Sequence, residues 1–382
     1  MVVNTNPTLM LIGVGGGGCA AVATAARLYG EGLDALGLDT DTAAIRNVLG
    51  VRCVLLGRAR LDGQGAAGCI SMGTLAAQDD LPGVANAFEG VRTAVVVATL
   101  GGGTGGGATP VLLRQLANMG VTTLCFALTP WKFEDPARAD AARQALALIE
   151  PVAGTLVTLA PEDLLPDAGL DETAGMGDVI ERCGRALSER LSLLWRVLNA
   201  PEHIRFDAAR LRALLLEGGA ACALLGQASG ENRAARAVAS LVTDRVRDRL
   251  SGVQTALLAI LGGRDLRLIE INDIVRDVRP ALYNPCRLEI ATVVHEAYAN
   301  RVALLMLAFD PVARVAPAPP PADLEELDTL ALPAGKPARG KKNRNPLRDS
   351  GGGRFQGVEK TFINGQNFDI PTYSRKNILI EK

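Results

Sequence analysis

Aromatic residues make up only 4% of the 382 residues, too few for the stacking platforms that hold single-stranded nucleic acid. Charge of one sign is also missing: 40 Lys and Arg face 41 Asp and Glu, for a net of −1. No long-range field therefore draws the chain to nucleic acid or an anionic membrane. Two histidines, His203 and His295, and seven cysteines without a CxxC pair speak against a zinc site and a disulfide framework. The histidines read as structural, and Cys53, Cys125, Cys183 and Cys222, with Trp131 and Trp195, read as packing residues. No apolar run approaches the ~18 residues of a membrane span, and the N-terminus does not read as a signal peptide. The expectation is a cytoplasmic chain with no nucleic-acid partner and no direct membrane insertion. What remains is a globular composition, 48% apolar and 21% charged, long enough for two or three domains at roughly 100–200 residues each.

Glycine is what the chain has in plenty, and it is clustered. The apolar run Thr93–Thr99 reads as a buried strand. It is followed by Leu100-Gly101-Gly102-Gly103-Thr104-Gly105-Gly106-Gly107 and then by helical spacing over Val111–Met119. A strand, a glycine loop and a helix N-terminus make a cradle for an anion, because glycine lets backbone N–H groups approach closely and the helix end adds partial positive charge. A phosphate chain is the natural occupant; a plain flexible turn is the alternative. Thr8–Val14 reads as a first strand, and Gly15–Gly18 lead into a helix over Cys19–Tyr29. Gly13, Gly15 and Gly18 with Asp39 fit the dinucleotide fingerprint, so a nicotinamide-dependent oxidoreductase stays open here, although the second glycine loop has no place in that scheme.

Leu33–Leu38 is a second strand, and Asp39-Thr40-Asp41 precede a helix over Thr42–Val48. Asp41 reads equally as its N-cap or as a ligand to a hydrated Mg²⁺. Val51–Leu56 is a third strand, and Asp62–Cys69 a third small-residue loop. A helix over Gly73–Phe88, strands Val121–Leu128 and Thr155–Leu159, and a helix over Ala137–Ile149 complete a doubly wound α/β domain at 1–170. Loops of this kind after successive strands point to one ligand at the carboxyl edge of a parallel sheet. A long amphipathic helix fills 171–200, with Val179, Leu187, Leu191, Leu194 and Leu198 on one face. Region 201–311 reads as a smaller α+β domain, with strands at Ala221–Leu225, Gln254–Leu261, Arg287–His295 and Arg301–Phe309 and helices at Asn232–Leu250 and Leu268–Val278. Pro, Ala and basic residues at 312–352 predict a disordered linker. The tail 353–382 sets Phe368, Ile370 and Tyr373 among polar residues, the pattern of a peptide that folds on a partner.

Eight of these stretches resemble the tubulin/FtsZ family. GGGTGGG at 101–107 is similar to the tubulin signature GGGTG(T/S)G. IGVGGGGCAAV at 12–22 looks like that family's first phosphate loop, LDTDTAAI at 38–45 like its NTDAQAL, and GQGAAG at 63–68 like its GLGAGAN. TPWKFEDPAR at 129–138 looks like KPFxFEGxxR; SGENRA at 229–234 and GRDLRL at 263–268 match its second domain, and FDIPTYSRK at 368–376 its C-terminal peptide. The resemblance implies a GTPase domain on a parallel sheet, a central helix and an α+β C-terminal domain. It implies GTP or GDP with Mg²⁺, held by Gly16, Gly17, Gly18, Cys19, Ala20, Asp41, Gly65, Ala66, Ala67, Gly101, Gly102, Gly103, Thr104 and Gly105. Glu134 and Arg138 fall on the ribose, and Asp178 on the guanine edge, where a carboxylate accepts both donors. Cys19 either touches the nucleotide or merely fills the loop. Phe368, Ile370, Pro371, Tyr373 and Arg375 belong to a peptide that binds membrane-tethering division proteins in the family, at the division site.

The chain departs from that pattern in places. Ala20 replaces an asparagine, Gly106 a threonine, Pro161 the asparagine on the base and Thr173 its stacking phenylalanine. The family's acidic loop, NxDFADV, reads Arg205-Phe206-Asp207-Ala208-Ala209-Arg210-Leu211, so Asp207 keeps one acid and Arg210 replaces the other. In the family this loop completes the next subunit's pocket, and hydrolysis occurs inside a head-to-tail filament. Arg210 therefore implies slow turnover, unless it stabilises transition-state charge as an arginine finger does. The resemblance also admits a structural paralogue that co-assembles without hydrolysing nucleotide.

Overall fold

The computed structural model describes residues 9–30, 32–166, 168–171, 173–199, 208–283, 285–309, 362–363 and 366–367. Asp207, the region 312–352 and the peptide residues Phe368, Ile370, Pro371, Tyr373 and Arg375 lie outside them. The chain divides into two units, Met1–Pro320 and Pro321–Lys382.

In the first unit, strands and helices alternate from the start: β1 (Leu9–Val14), α1 (Gly15–Tyr29), β2 (Ala35–Asp39), α2 (Thr42–Arg46), β3 (Arg52–Leu55), α3 (Arg58–Leu61), α4 (Ile70–Asp80), β4 (Thr93–Thr99), α5 (Gly103–Asn118), β5 (Thr122–Leu128), α6 (Pro136–Ile149) and β6 (Thr155–Leu159). The long helix α7 (Met176–Asn199) follows, then α8 (Ala208–Leu216), β7 (Gly219–Ser229), α9 (Arg233–Leu241), α10 (Asp244–Leu250), β8 (Thr255–Gly262), α11 (Leu268–Val278), β9 (Arg287–Val294) and β10 (Arg301–Phe309). The second unit contributes an antiparallel pair, β11 (Phe362–Ile363) with β12 (Gln366–Asn367).

All ten strands of the first unit form one sheet, in the order β3-β2-β1-β4-β5-β6-β7-β10-β8-β9. The pairs from β3 through β7 are parallel, β10 lies antiparallel between β7 and β8, and β8 and β9 are parallel. The sheet thus runs unbroken past the sequence boundary at 200/201. Helices cover both faces, which is why the β4 run TAVVVAT is buried at six of its seven positions and reads as a continuous apolar stretch.

One core lies between the sheet and α1, α7 and α8, and it reaches from Leu9 to Phe309. On α7 it takes Cys183, Ala186, Leu187, Leu191, Leu194, Trp195 and Leu198, so this helix is the spine along both halves of the sheet. A second core packs α4, α5 and α6 on the opposite face, and a third packs α9 and α11 on the C-terminal strands.

Several boundaries differ from expectation, each for a local reason. The long helix starts at Met176 rather than Asp171, because the Asp171 carboxylate accepts from Thr173 N at 2.9 Å and holds a turn there. The helix expected over 73–88 ends at Asp80 and continues as a 3₁₀ turn over Leu81–Phe88 with proline in its first turn. The one expected over 232–250 breaks at Val242-Thr243 into α9 and α10.

Candidate nucleotide site

The strand order reverses between β1 and β4, and the loops leaving their carboxyl ends part to opposite sides of the sheet. A crevice opens at such a point in an open α/β sheet. Here α1 begins at Gly15 and α5 at Gly103, four residues beyond the end of β4. Neither helix has a side-chain cap, whereas α2 and α6 are capped by Asp41 and Asp135. The first-turn N–H groups of α1 and α5 are therefore donors for an outside acceptor, and both helix dipoles favour an anion there.

Glycine brings these two turns together. Gly15 has φ +77°, and a Cβ on it would stand 3.2 Å from Gly105 N. A Cβ on Gly103 would stand 2.6 Å from the Cys69 carbonyl oxygen and 2.8 Å from Ala66 Cβ, so the third loop touches the first turn of α5. On Gly102 a Cβ would meet nothing within 4 Å, and on Gly101 it would meet Pro130 at 2.7 Å. The second loop joins through side chains and backbone. The hydroxyls of Thr40 and Thr104 share a hydrogen bond of 2.6 Å, and Gly65 N donates to Thr40 O at 3.1 Å. Ala67 takes φ +46°, a conformation usually left to glycine. The loops carrying Gly16–Ala20, Asp41, Gly65–Ala67 and Gly101–Gly105 thus meet at one rim of the sheet.

Carboxylates flank this cradle. Asp39 is buried, its Oδ1 accepts from Thr40 N at 2.7 Å, and burial raises its pKa. Asp41 Oδ1 accepts from Ala43 N at 2.7 Å, so the capping role is realised. Among the described residues no group of three or more His, Cys, Asp or Glu is placed to hold a metal ion. Asp39 and Asp41 beside an anion cradle are carboxylates that would suit a hydrated Mg²⁺. The Cys19 thiol points the other way. It is buried against the carbonyls of Gly13 and Leu38, at 3.5 and 3.6 Å, and burial pushes its pKa up to about 12. Cys19 is thus a small filler whose side chain is turned from the cradle, and only its backbone is left for a ligand.

Beside the cradle lies a cavity of about 760 Å³. Gly17, Ala20 and Thr24 of α1 form one wall and Ile180, Glu181 and Gly184 of α7 the other. Glu134, Arg138, Trp131 and Pro161 line it as well. Glu134 is held twice, accepting from Trp131 N at 2.9 Å and pairing with Arg138 Nε at 2.8 Å. Trp131, expected as a packing residue, is partly buried against the core; it also lines the cavity and stacks on exposed Phe133, ring centroids 5.7 Å apart. Asp178 is exposed in the first turn of α7 and is not among the lining residues. Thr24, Arg27 and Glu181, which do line it, were missed. Their signal is the phase of the helix: Ile180, Gly184 and Leu187 recur at helical spacing, and Glu181 lies on the same stripe.

Arg210 sits apart from this cavity. It is on the first turn of α8, where its guanidinium pairs with Glu289 of β9, and Arg287 pairs with Glu289 at 3.6 Å and Glu217 at 2.9 Å. Any action of Arg210 on a nucleotide would be on that of another copy.

The geometry agrees with what comparison with known proteins finds. Residues 8–166 match the Tubulin/FtsZ family, GTPase domain, and residues 219–310 the FtsZ family, C-terminal domain. Cell division protein FtsZ 2 of Rhizobium meliloti is 26% identical over 295 residues, which cover 77% of this chain and 85% of that one. Cell division protein FtsZ of Pseudomonas putida is 28% identical over 318 residues, 81% and 78% of the two chains. Among solved structures, an empty FtsZ dimer from M. jannaschii superimposes with TM-score 0.73 over 79% of this chain and 87% of that one, at 24% identity. A GTPγS-bound protofilament of CetZ2 from Haloferax volcanii gives 0.65 over 79% and 93%, at 23% identity. These last two likenesses concern the fold. The chain belongs to the tubulin/FtsZ family, with that family's GTPase domain followed by the FtsZ-type C-terminal domain.

Proposed function

We propose that this chain is a GTP-binding cytoskeletal protein that assembles head to tail into filaments serving bacterial cell division, and that it hydrolyses GTP slowly at the contact between subunits. The observation that supports the reading best is the pair of uncapped helix N-termini, at Gly15 and Gly103, brought edge to edge by glycines that admit no side chain. They offer N–H donors to a phosphate chain, and Glu134 and Arg138, which line the adjoining cavity, are the residues we assign to the ribose. Mg²⁺, when bound, would supply charge neutralisation at the phosphates, and Asp39 and Asp41 are the carboxylates that would hold its water shell.

The catalytic carboxylate on this reading is Asp207, presented by the next copy in the filament. Arg210 stands where relatives carry a second acid, and its guanidinium is engaged by Glu289 of its own chain. One acceptor fewer at the attacking water lowers turnover by ~10²–10⁴-fold, the range of a lost general base. Phe368, Ile370, Pro371, Tyr373 and Arg375 form the peptide that docks on membrane-tethering division proteins, which places the filament in the cytoplasm at the division site.

Sedimentation with GTP, run beside phosphate release, tests this. Polymer with slow release is expected. Failure to pellet with any nucleotide, alone or mixed with a standard relative, overturns filament formation. Pelleting only in the mixture, without phosphate release, selects the co-assembling paralogue instead.

A further inference from the structure

His295 lies where β9 turns toward β10, and both of its ring nitrogens face donors. Nδ1 stands 3.2 Å from the amide nitrogen of Ala297, and Nε2 stands 3.1 Å from Arg196 Nη1 on α7. A backbone amide and a guanidinium can only donate. The neutral ring accepts at one nitrogen, and the charge-assisted bond from Arg196 is the stronger claim on it. An imidazolium accepts at neither.

Arg196 carries this contact across the molecule. Its Nη2 donates to the carbonyls of Leu28 and Tyr29 at 2.9 and 3.0 Å, and its guanidinium lies over the Tyr29 ring, 4.9 Å from the centroid. One side chain on the spine helix thus ties the last turn of α1 to the turn Glu296–Tyr298 between β9 and β10. The charges around His295 weigh against a further cation. Arg196 faces it from α7. Arg301 of β10 stands behind Tyr298, its guanidinium 5.7 Å from the ring that packs edge-on against the imidazole. The two acids nearby are shared: Glu189 of α7, beside Tyr298, with Arg185 and Gln227, and exposed Glu296 with Arg264 at 3.5 Å. Burial raises the Tyr29 and Tyr298 phenols, so neither supplies a negative charge. Burial, then the Arg196 charge, hold the imidazole below its ordinary range against the pull of Glu296.

We infer that His295 is an acid-sensitive latch. Neutral, it accepts from Arg196 and fastens the β9–β10 turn to the ends of α7 and α1; protonated, it loses that bond, faces a like charge and loosens both. The sign follows from the geometry. A ring whose folded form resists protonation contributes fully above its unfolded value of 6.5, and that contribution is lost as pH falls from there through the folded value. Because α1 begins at the cradle and ends at this contact, acid acts on the far end of the same helix. The latch does not depend on what fills the cradle.

Histidine ring NMR and amide exchange on the full chain, between about pH 8 and about pH 5, test it. His203 is the other histidine of the chain, so His295→Gln identifies the His295 signal by its loss. That signal is expected to titrate below 6.5. In step with it, protection factors fall about tenfold, the worth of one charge-assisted hydrogen bond, at three amides. These are Gly30, which donates to Ala26 O, and His295 and Tyr298, which donate to Gly262 O and His295 O. Glutamine keeps an acceptor for Arg196 and does not titrate, so His295→Gln holds its protection across the range. His295→Lys places a permanent cation there and shows the acid pattern already at about pH 8. Strand β4 stays protected throughout in all three proteins. A His295 signal that titrates at or above 6.5 in the wild type overturns the latch, and no variant is needed to see it. Protection that falls equally in His295→Gln, or that falls at β4 in step with the three amides, overturns it as well.

Discussion

Neighbouring glycines at the start of α5 separate the demands of the fold from those of the ligand. A Cβ on Gly103 would lie 2.6 Å from Cys69 O and 2.8 Å from both Ala66 Cβ and Cys69 N. Carbon contacts are comfortable at about 3.5 Å, so Gly103→Ala drives the third loop and α5 apart by several tenths of an ångström or more. Overpacking of that kind costs about 1–3 kcal/mol, which in a chain of this size lowers Tm by about 2–10 °C. Gly102 is different. Its φ of −104° and ψ of 160° suit any residue, and a Cβ there meets no protein atom within 4 Å. Gly102→Ala therefore leaves Tm where it is, or raises it through the ~0.4–1 kcal/mol taken from the unfolded chain. If a phosphate occupies the open space, the added methyl obstructs a charge-assisted hydrogen bond worth about 1.5–3 kcal/mol, and nucleotide affinity drops at least tenfold. Thermal melts without nucleotide and equilibrium binding with it read the two effects independently. Full affinity in Gly102→Ala would refute the phosphate placement. An unchanged Tm in Gly103→Ala would refute the close packing of the third loop on α5.

Other outcomes follow from particular contacts. Arg233 and Glu270 form a buried pair at 2.8 Å, and hydrogen bonds from Arg233 hold the Glu270 carboxyl at about 2. Its contribution is present above the unfolded value of 4.5 and is lost as pH falls toward 2. Glu270→Ala leaves Arg233 to its contacts with Asp265, costs about 1–3 kcal/mol, and flattens the acid limb of a Tm-versus-pH curve. Arg196 Nη2 donates to the carbonyls of Leu28 and Tyr29 at 2.9 and 3.0 Å, satisfying the end of α1 from α7. Arg196→Met raises amide exchange at the C-terminal turn of α1 and costs about 1–2 kcal/mol; unaltered exchange there would contradict the contact. The Arg210–Glu289 pair is half exposed on the Arg side. A double-mutant cycle on it yields a coupling of about 0.2–1 kcal/mol in stability, smaller in high salt.

Much of this architecture is legible in the chain because local rules suffice for it. The buried strands β1, β4 and β5 show as continuous apolar runs, since a parallel sheet covered on both faces leaves no polar side. The loops at the cradle show as glycine between strand and helix, and α7 shows as a long apolar stripe. The loop 101–107 was misjudged in one respect: Gly103 through Gly107 already belong to α5, despite a helix cost near 1 kcal/mol for each glycine. Packing overrules propensity there. At Gly107 a Cβ would meet Thr74 N at 2.6 Å, and at Gly73 it would collide with Gly103 O, so α4 and α5 touch only because both lack side chains.

Composition and periodicity by themselves determined the α/β class, the glycine loops at successive strand ends and the spine helix, because each is set by which neighbours along the chain are apolar, small or able to turn. Tertiary structure alone decided that the C-terminal strands extend the same sheet, that the Cys19 thiol faces inward, that Arg210 is held by a glutamate 79 positions on, and that the cavity wall of α7 presents Glu181 rather than Asp178. Those choices depend on how helices are rotated against the sheet and on charges that meet only after folding. Neither quantity is written in the spacing of residues along a single segment.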